Sequence, residues 1–325
     1  MTNPTEKWLY GPSTYWFWPR IPTQAEIEQQ VAEMAQAGYR TFLIQARLGM
    51  PLEEYLSLAY LQAYRSAVEA GAKLGLYAGI YDDYNWMSGH AGGRSVQLNP
   101  LVRERCLFWT QSTISAGQAE AAVSGIHSLM YEEFSPMAMA WAYQDAKPEW
   151  ADWRTLCALA VPHGDQTIEW CQVRNVTAQV RLEGGDQGCR VRLEQAAPEL
   201  EGYDLIVFVH ADCVSSRMVN YLHAETAETF IQAGLEPYAQ AVGDYFGSTI
   251  PYLFFDHPYG GFYTWTERRG ALGNSLMFTP DLMQCFMEDR GYPLEEALLS
   301  FLIDLGDQSP RLRCDFFETY GRLGR

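Results

Sequence analysis

The first 81 residues alternate between apolar runs and amphipathic stretches, and this alternation constrains the fold more than any other feature. The aromatic run Tyr15–Trp18 is followed by a helix with a capping-box sequence at Thr23. Apolar runs at 41–46 and 74–81 flank a stretch with helical spacing over 53–73. Strand–helix–strand repetition of this kind predicts a parallel sheet.

Polar residues directly after these strands favour a (β/α) barrel of the TIM type over a doubly wound sheet. From about residue 110 short alternating segments predict an inserted β-rich subdomain, and apolar strands at Leu205–His210 and 252–256 then indicate that the barrel resumes. We therefore expect an α/β fold with three parts: 1–109, the first part of the barrel; 110–204, the inserted subdomain; and 205–325, the continuation of the barrel.

Five or six barrel strands are recognisable, whereas a closed barrel of this kind has about eight. We therefore expect an incomplete barrel, unless strands within 110–200 close it. A partner chain, or a second copy pairing through open sheet edges, is a further way to complete the fold.

The composition limits the classes of binding partner and the cellular compartment that we expect. The 40 carboxylates against 23 Lys and Arg give a net charge of -17, which repels nucleic acid and anionic membrane surfaces. The seven cysteines are scattered without a C-x-x-C pair, so reduced thiols are expected. Neither a signal peptide nor an apolar stretch of about 20 residues is visible, and we expect a cytoplasmic protein without membrane contact.

The loop after the third strand is the densest cluster of polar and aromatic residues. It reads YDDYNWMSGHAGG over 81–93 and contains Asp82, Asp83, Trp86 and His90. Its glycines allow close approach of a ligand to the backbone, and its acids suit sugar hydroxyls or a hard cation such as calcium, although the spacing is not that of an EF-hand. A purely structural loop is the alternative.

The same pattern returns after the strand at 252–256, where Asp256 is followed by His257, Tyr259 and two glycines. Glycoside hydrolysis requires two carboxyl groups on either side of the scissile bond. Strand ends meet at one mouth of a parallel barrel, so Asp256 and Asp83 are the candidate catalytic pair. The candidate substrate contacts from the two loops are Asp82, Trp86, His90, His257 and Tyr259.

Three residues at the ends of the first two strands complete the candidate site. Trp16 and Trp18 share one face of a strand, where they either stack on a sugar ring or pack in the core. Arg47 follows the second strand and either orients substrate or pairs with a neighbouring Asp.

Four segments fit one known pattern: the 81–93 loop, FGSTI at 246–250, FFDHP at 254–258 and TPDL at 279–282. They resemble the elements Y-D-E-x-x-W-P-S-G-x-A-G-G, Y-F-G-x-x-I, F-T-D-E-P and W-T-P-D-L of α-L-rhamnosidase-like glycoside hydrolases, the family 106 type and its relatives. The resemblance implies a barrel glycosidase with an inserted β subdomain and an acid/base pair that acts on a glycoside such as an α-L-rhamnoside. It also implies calcium assistance.

Two positions depart from the family pattern. His257 stands where the family has Glu, and Asp82–Asp83 stands where it has Asp-Glu. A histidine does not supply the negative charge of a carboxylate, although it can act as a general acid near neutral pH. The family also continues for several hundred residues beyond the region matched here. Two functions therefore stay open: a glycoside hydrolase, and a non-catalytic carbohydrate-binding or scaffold remnant of one.

Overall fold

A computed structural model describes residues 11–47, 49–85, 87–125, 136–164, 167–194, 197–256, 265–266, 271–272 and 275–324. Three predicted site residues, Trp86, His257 and Tyr259, lie outside the described residues. The chain divides into two compact units. The first takes its described residues from Met1–Leu101, Arg217–Val219 and Glu225–Pro258, and the second from Val102–Ser216, Asn220–Ala224 and Tyr259–Arg325.

The described strands are β1 (Ser13–Trp18), β2 (Thr41–Ala46), β3 (Tyr77–Tyr84), β4 (Arg105–Thr113), β5 (Glu120–Ser124), β6 (Trp150–Pro162), β7 (Arg174–Asn175), β8 (Val180–Gly185), β9 (Gly188–Leu193), β10 (Tyr203–Cys213), β11 (Tyr252–Phe254), β12 (Trp265–Thr266), β13 (Ala271–Leu272) and β14 (Ser275–Met277). The described α-helices are α1 (Gln24–Gln36), α2 (Leu58–Leu74), α3 (Arg94–Leu98), α4 (Pro136–Ala142), α5 (Thr226–Phe230), α6 (Glu236–Val242), α7 (Asp281–Arg290), α8 (Leu294–Leu299) and α9 (Ser309–Leu323).

The first unit is built on a parallel sheet with the strand order β1-β2-β3-β11. Helix α1 connects β1 to β2, and α2 connects β2 to β3, as the sequence alternation predicts. Thr23 caps α1: its hydroxyl accepts a hydrogen bond from the backbone N–H of Glu26, whose carboxylate accepts one from the N–H of Thr23. The predicted capping box is therefore confirmed.

The two faces of this sheet differ in what covers them. Side chains alternate along a strand, so Trp16, Ile44 and Ile80, which are register partners, share one face. That face is packed in a core with Tyr60 and Tyr64 of α2. The opposite face carries Tyr15 and Phe17 in β1, Tyr81 in β3 and Phe254 in β11. The helix side is therefore the hydrophobic core, and on the other side the Tyr15 and Phe17 rings are exposed to solvent.

The second unit contains antiparallel sheets. Its larger sheet has the order β14-β4-β10-β6-β7, and a smaller one has the order β5-β9-β8. Helices α7, α8 and α9 pack in the core that covers one face of the larger sheet, with Phe208, Phe278 and Phe286 among its buried members. The described residues thus form a mixed α/β fold with parallel and antiparallel sheets.

One strand lies in a different sheet from the one expected. The run Leu205–His210 was expected to be a parallel barrel strand, but β10 pairs antiparallel with both β4 and β6. Residues 205–209 of β10 are all buried, so both faces of this strand are covered and it presents the same unbroken apolar run as a parallel strand. The domain boundaries at 109/110 and 204/205 stay predictions. In the described part of the chain, no helix is both long and apolar enough to cross a membrane.

Candidate active site

Two adjacent carboxyl groups end β3. The side chains of Asp82 and Asp83 are 0% and 1% exposed. The Ser88 hydroxyl donates to Oδ1 of Asp82 at 2.7 Å. Oδ2 of Asp82 and both carboxyl oxygens of Asp83 are buried without a hydrogen-bond partner among the described residues. Buried polar oxygens in folded proteins nearly always have a hydrogen-bond partner, so ordinary packing does not account for these three atoms.

The pairing of β11 with β3 brings Asp256 to the same place. Phe254 is the register partner of Tyr81, and Asp256 follows two residues later. Ser88 joins the two loops: its hydroxyl accepts from the Asp256 N–H at 2.7 Å, and its own N–H donates to the Asp256 carbonyl at 3.0 Å. The Tyr81 hydroxyl donates to Oδ2 of Asp256. We call Asp82, Asp83 and Asp256 the acidic cluster.

Burial governs the protonation of this cluster. It raises the pKa of Asp82 to about 7, despite the Ser88 hydrogen bond that opposes the shift, and the charge of Asp256 adds to the rise. Burial, followed by the charges of Asp82 and Asp256, raises the pKa of Asp83 well above its ordinary value. Burial and the bond to Asp256 also raise the pKa of Tyr81, which therefore keeps its hydrogen. Burial thus favours the protonated form of the Asp82 and Asp83 carboxyl groups.

The backbone after β3 is strained. Asn85, Met87 and Ala91 have φ values of 64°, 28° and 50°, a region that non-glycine residues rarely adopt because of the clash between Cβ and the backbone. The fold holds Asn85 through the Gln45 amide, which donates to the Asn85 carbonyl at 2.8 Å. Such strain concentrates at functional sites, where the surrounding structure enforces it.

Aromatic rings lie beside the cluster on the open face of the sheet. Tyr15 is 51% exposed and Phe17 is 38% exposed. The Tyr15 ring meets the edges of the Tyr81 and Phe254 rings, and Tyr81 stacks on Phe254 with 5.0 Å between centroids. The Arg47 guanidinium lies 5.2 Å from the Phe17 ring centroid. This face combines exposed rings with a cation and carboxyl groups, a set of groups that suits a sugar.

Arg47 is at the strand end where it was expected, and the sequence left two roles open for it, orienting substrate or pairing with a neighbouring Asp. It donates to the Gln45 side chain at 3.2 Å and forms no salt bridge with a carboxylate among the described residues. Its charge nevertheless lowers the pKa of Asp83, against the larger effect of burial.

Three predicted contact residues lie away from the open face. Trp16 and Trp18 are buried on the helix side, 5.3 Å apart between ring centroids, and Trp18 packs edge-on against Tyr60. The sequence left stacking on a sugar and packing in the core open for these two rings, and both rings are members of the hydrophobic core. His90 is fully buried, and its Nδ1 accepts from the N–H of Gly92 at 3.0 Å, which caps the turn.

Sequence reasoning did not single out Tyr81 or Ser88. Both residues lie in the 81–93 loop. Their roles depend on hydrogen bonds to Asp256, which the pairing of β11 with β3 brings next to them. The two-residue spacing of Tyr81 and Asp83 along β3 was an available signal, since it places both side chains on one face.

The described residues do not by themselves form a calcium site. No group of three or more His, Cys, Asp or Glu side chains is arranged to hold a metal ion in the part of the chain that is described, and calcium takes about 6–8 oxygen ligands. The unpartnered oxygens of Asp82 and Asp83 are too few for such a shell.

No protein-family model matches the chain, and no curated protein matches it either. Among solved structures, the fold is similar to that of a rhamnosidase from Novosphingobium sp. PP1Y, with a TM-score of 0.50 and 12% sequence identity. The similarity covers 97% of this chain but 44% of the rhamnosidase chain, so this chain spans less than half of that protein. The comparison shows a distant structural relationship to a rhamnosidase.

Proposed function

We propose that the protein is glycoside hydrolase-like and that it binds and hydrolyses a glycoside at the acidic cluster. An α-L-rhamnoside is the first substrate to test. The observation that carries the proposal is the meeting of Asp82, Asp83 and Asp256 at the C-terminal edge of a parallel sheet, beside exposed aromatic rings. Ligands bind at this edge in folds built from parallel strands. The similarity in fold to a rhamnosidase supports the same reading.

The two candidate catalytic carboxyl groups differ in environment. Burial raises the pKa of Asp83 well above its ordinary value, which favours the protonated form that a general acid needs to protonate the leaving oxygen. Asp256 is half-buried and accepts a hydrogen bond from Tyr81, which fits a carboxylate that attacks, activates water or stabilises positive charge on the sugar. When one carboxyl group of a site is buried and the other is partly exposed, the two commonly take different roles, one as the acid and one as the base.

The open face of the sheet supplies the binding surface in this proposal. The Tyr15 and Phe17 rings stack on the apolar face of a sugar, and Arg47 donates to its hydroxyls. We also propose that the sheet is part of a (β/α) barrel. Its four strands all run parallel, and their order across the sheet follows their order in the chain. In the described part of the chain β1 and β11 are each paired on one side, which leaves both edges for further strands of a barrel or for a partner chain.

A second candidate function is carbohydrate binding without hydrolysis. The near-complete burial of Asp83 favours it, since a general acid must reach the glycosidic oxygen. In that case Asp256 and the exposed rings hold the sugar, and the buried pair has no chemical role.

Hydrolysis of a panel of aryl glycosides, led by the α-L-rhamnoside, tests the proposal. Wild type is compared with Asp256→Asn and Asp83→Asn, and with Asp244→Asn as a matched control at an exposed aspartate of the same unit that pairs with Arg65. Circular dichroism establishes that each variant is folded. Turnover that both cluster variants lose and the control keeps supports hydrolysis.

Two other outcomes are informative. Sugar binding by calorimetry without turnover, lost in Asp256→Asn, supports the binding function. Turnover that persists in Asp256→Asn and Asp83→Asn overturns the assignment of the site. Folded protein that neither binds nor cleaves any of the glycosides overturns both functions.

A further inference from the structure

A second surface that combines aromatic and acidic side chains lies wholly in the second unit. It is a cleft of about 510 Å³ between β6 and the β8–β9 hairpin, within the usual size range of small-molecule sites. Its lining includes two indole rings, two carboxylates and two glycines: Trp150, Trp153, Asp152, Asp186, Gly184 and Gly185.

A β-bulge aims two of these residues at the cleft. In the pairing of β6 with β10, Ala151 pairs with Asp212 and Arg154 with His210, so Asp152 and Trp153 together oppose one residue. Asp152 has a φ of 54° and an exposed side chain. The first residue of such a bulge is usually glycine, because glycine adopts positive φ without a clash. Asp152 therefore places a carboxylate at a backbone position that favours glycine.

Packing fixes the orientation of Trp153. Its indole N–H donates to the Gly185 carbonyl at 2.8 Å, and its ring lies so close to Gly184 that a Cβ there would be 2.7 Å from Cδ1. The Phe108 ring packs against the Trp153 ring, with 5.2 Å between ring centroids. With its polar atom satisfied internally, the half-buried ring offers the cleft an apolar face of fixed orientation.

The hairpin is anchored to β6, so the cleft is preformed. The backbone N–H of Trp150 donates to the Asp186 carbonyl at 2.9 Å, and the Trp150 indole donates to the Gly125 carbonyl at 2.8 Å. The Gly125 N–H in turn donates to the Gln187 carbonyl at 3.0 Å, so these bonds hold the turn of the hairpin while the Asp186 side chain stays exposed. A rigid aromatic face between two exposed carboxylates reduces the entropy lost when a ligand binds.

We propose that this cleft is a binding site for a neutral saccharide. The rigid indole stacks on the apolar face of a sugar ring, and the carboxylates of Asp152 and Asp186 accept hydrogen bonds from its hydroxyls. Two carboxylates repel a uronate, so neutral sugars are preferred to acidic ones. The site lies wholly in the second unit and does not rest on the proposed function of the acidic cluster.

Saturation-transfer NMR on the full chain tests this inference. The probes are methyl α-L-rhamnopyranoside, cellotetraose, mannotetraose and xylotetraose, with tetragalacturonic acid as the acidic comparison, each at about 1 mM, a concentration suited to weak binding. We expect transfer to at least one neutral probe, with the affinity reduced tenfold or more in Asp152→Gly and Trp153→Ala. Asp256→Asn leaves this binding unchanged, which separates it from the acidic cluster.

Asp145→Gly is the matched control, because Asp145 is also an exposed aspartate at positive φ in the second unit, but does not line the cleft. Glycine suits the backbone at both positions, so neither variant is expected to lower the Tm, and a loss of binding in Asp152→Gly alone reports on the carboxylate. The inference is overturned if no neutral probe binds the folded protein, if binding survives in Asp152→Gly and Trp153→Ala, or if tetragalacturonic acid binds more tightly than the neutral probes.

Discussion

The phenolic hydroxyl of Tyr81 donates a hydrogen bond to the carboxylate of Asp256, although 175 positions separate the two residues in the chain. The bond links the end of β3 to the loop after β11. It also orients the one carboxyl group of the acidic cluster that is partly exposed. The site is therefore assembled by strand pairing between distant segments.

Removing the Tyr81 hydroxyl is expected to impair the site without unfolding it. Tyr81→Phe keeps the ring contacts with Tyr15 and Phe254 but removes the hydrogen bond from Tyr81 to the Asp256 carboxyl group, so glycoside affinity or turnover should fall about tenfold, the equivalent of one hydrogen bond to a charged group. Tyr84→Phe, which removes a hydroxyl bonded to the Met50 carbonyl at 2.6 Å, is the control. Equal losses in the two variants would refute a specific role for Tyr81.

The pairing of β11 with β3 depends on a close approach at Gly79. A Cβ at Gly79 would lie 2.6 Å from the Tyr252 ring, so Gly79→Ala should destabilise the fold by about 1–3 kcal/mol, as overpacking does, and should displace Asp256 from Ser88. Urea unfolding measures the loss. Combining Gly79→Ala with Tyr252→Leu should restore part of the stability, and a double variant no more stable than the single one would contradict the proposed clash.

The local elements could be predicted from the sequence, because their signals lie within a few residues. The capping box at Thr23 and the βαβ alternation are signals of that kind. The face that Trp16 and Trp18 occupy could not be predicted, since a period of two says that they share a face but not which face meets the helices. The direction of β10 was missed because buried parallel and antiparallel strands have the same apolar pattern. The link from Tyr81 to Asp256 depends on pairing between distant segments, which spacing does not encode.

The acidic cluster should make stability fall as pH rises. Burial holds the pKa of Asp82 at about 7 in the folded protein, against an ordinary 3.8. Between about pH 4 and pH 7 the folded protein therefore binds more protons than the unfolded chain, and the free energy of unfolding decreases with increasing pH. Asp82→Asn should flatten this dependence by up to about 1.4 kcal/mol per pH unit. Urea unfolding at several pH values measures it, and parallel curves for wild type and variant would contradict the assignment.

His210 in the second unit should have the opposite effect. Burial, followed by the charge of Arg105, lowers its pKa from 6.5 to about 4, and its Nδ1 is buried without a hydrogen-bond partner among the described residues. The unfolded chain binds the extra proton between about pH 6.5 and pH 4, so stability falls as pH falls through that range.

Replacement of His210 by an apolar ring tests this effect. The His210 ring packs against Phe278 with 5.0 Å between centroids. His210→Phe should therefore be more stable than wild type at pH 5, by up to about 2 kcal/mol, and the advantage should shrink towards pH 7. Thermal unfolding at both pH values gives the comparison, with His163→Phe at an exposed histidine as the control. An advantage that does not change with pH would show that His210 is not the source.

The most direct test of the central claim is ¹³C NMR of the aspartate carboxyl carbons, titrated with pH and then with the glycoside that binds. The acidic cluster predicts a carboxyl group, assigned by its loss in Asp82→Asn, that titrates near pH 7. It also predicts that added glycoside shifts the carboxyl resonance missing from Asp256→Asn. Carboxyl groups that all titrate below about pH 5, together with an Asp256 resonance that a bound glycoside leaves unmoved, would contradict it.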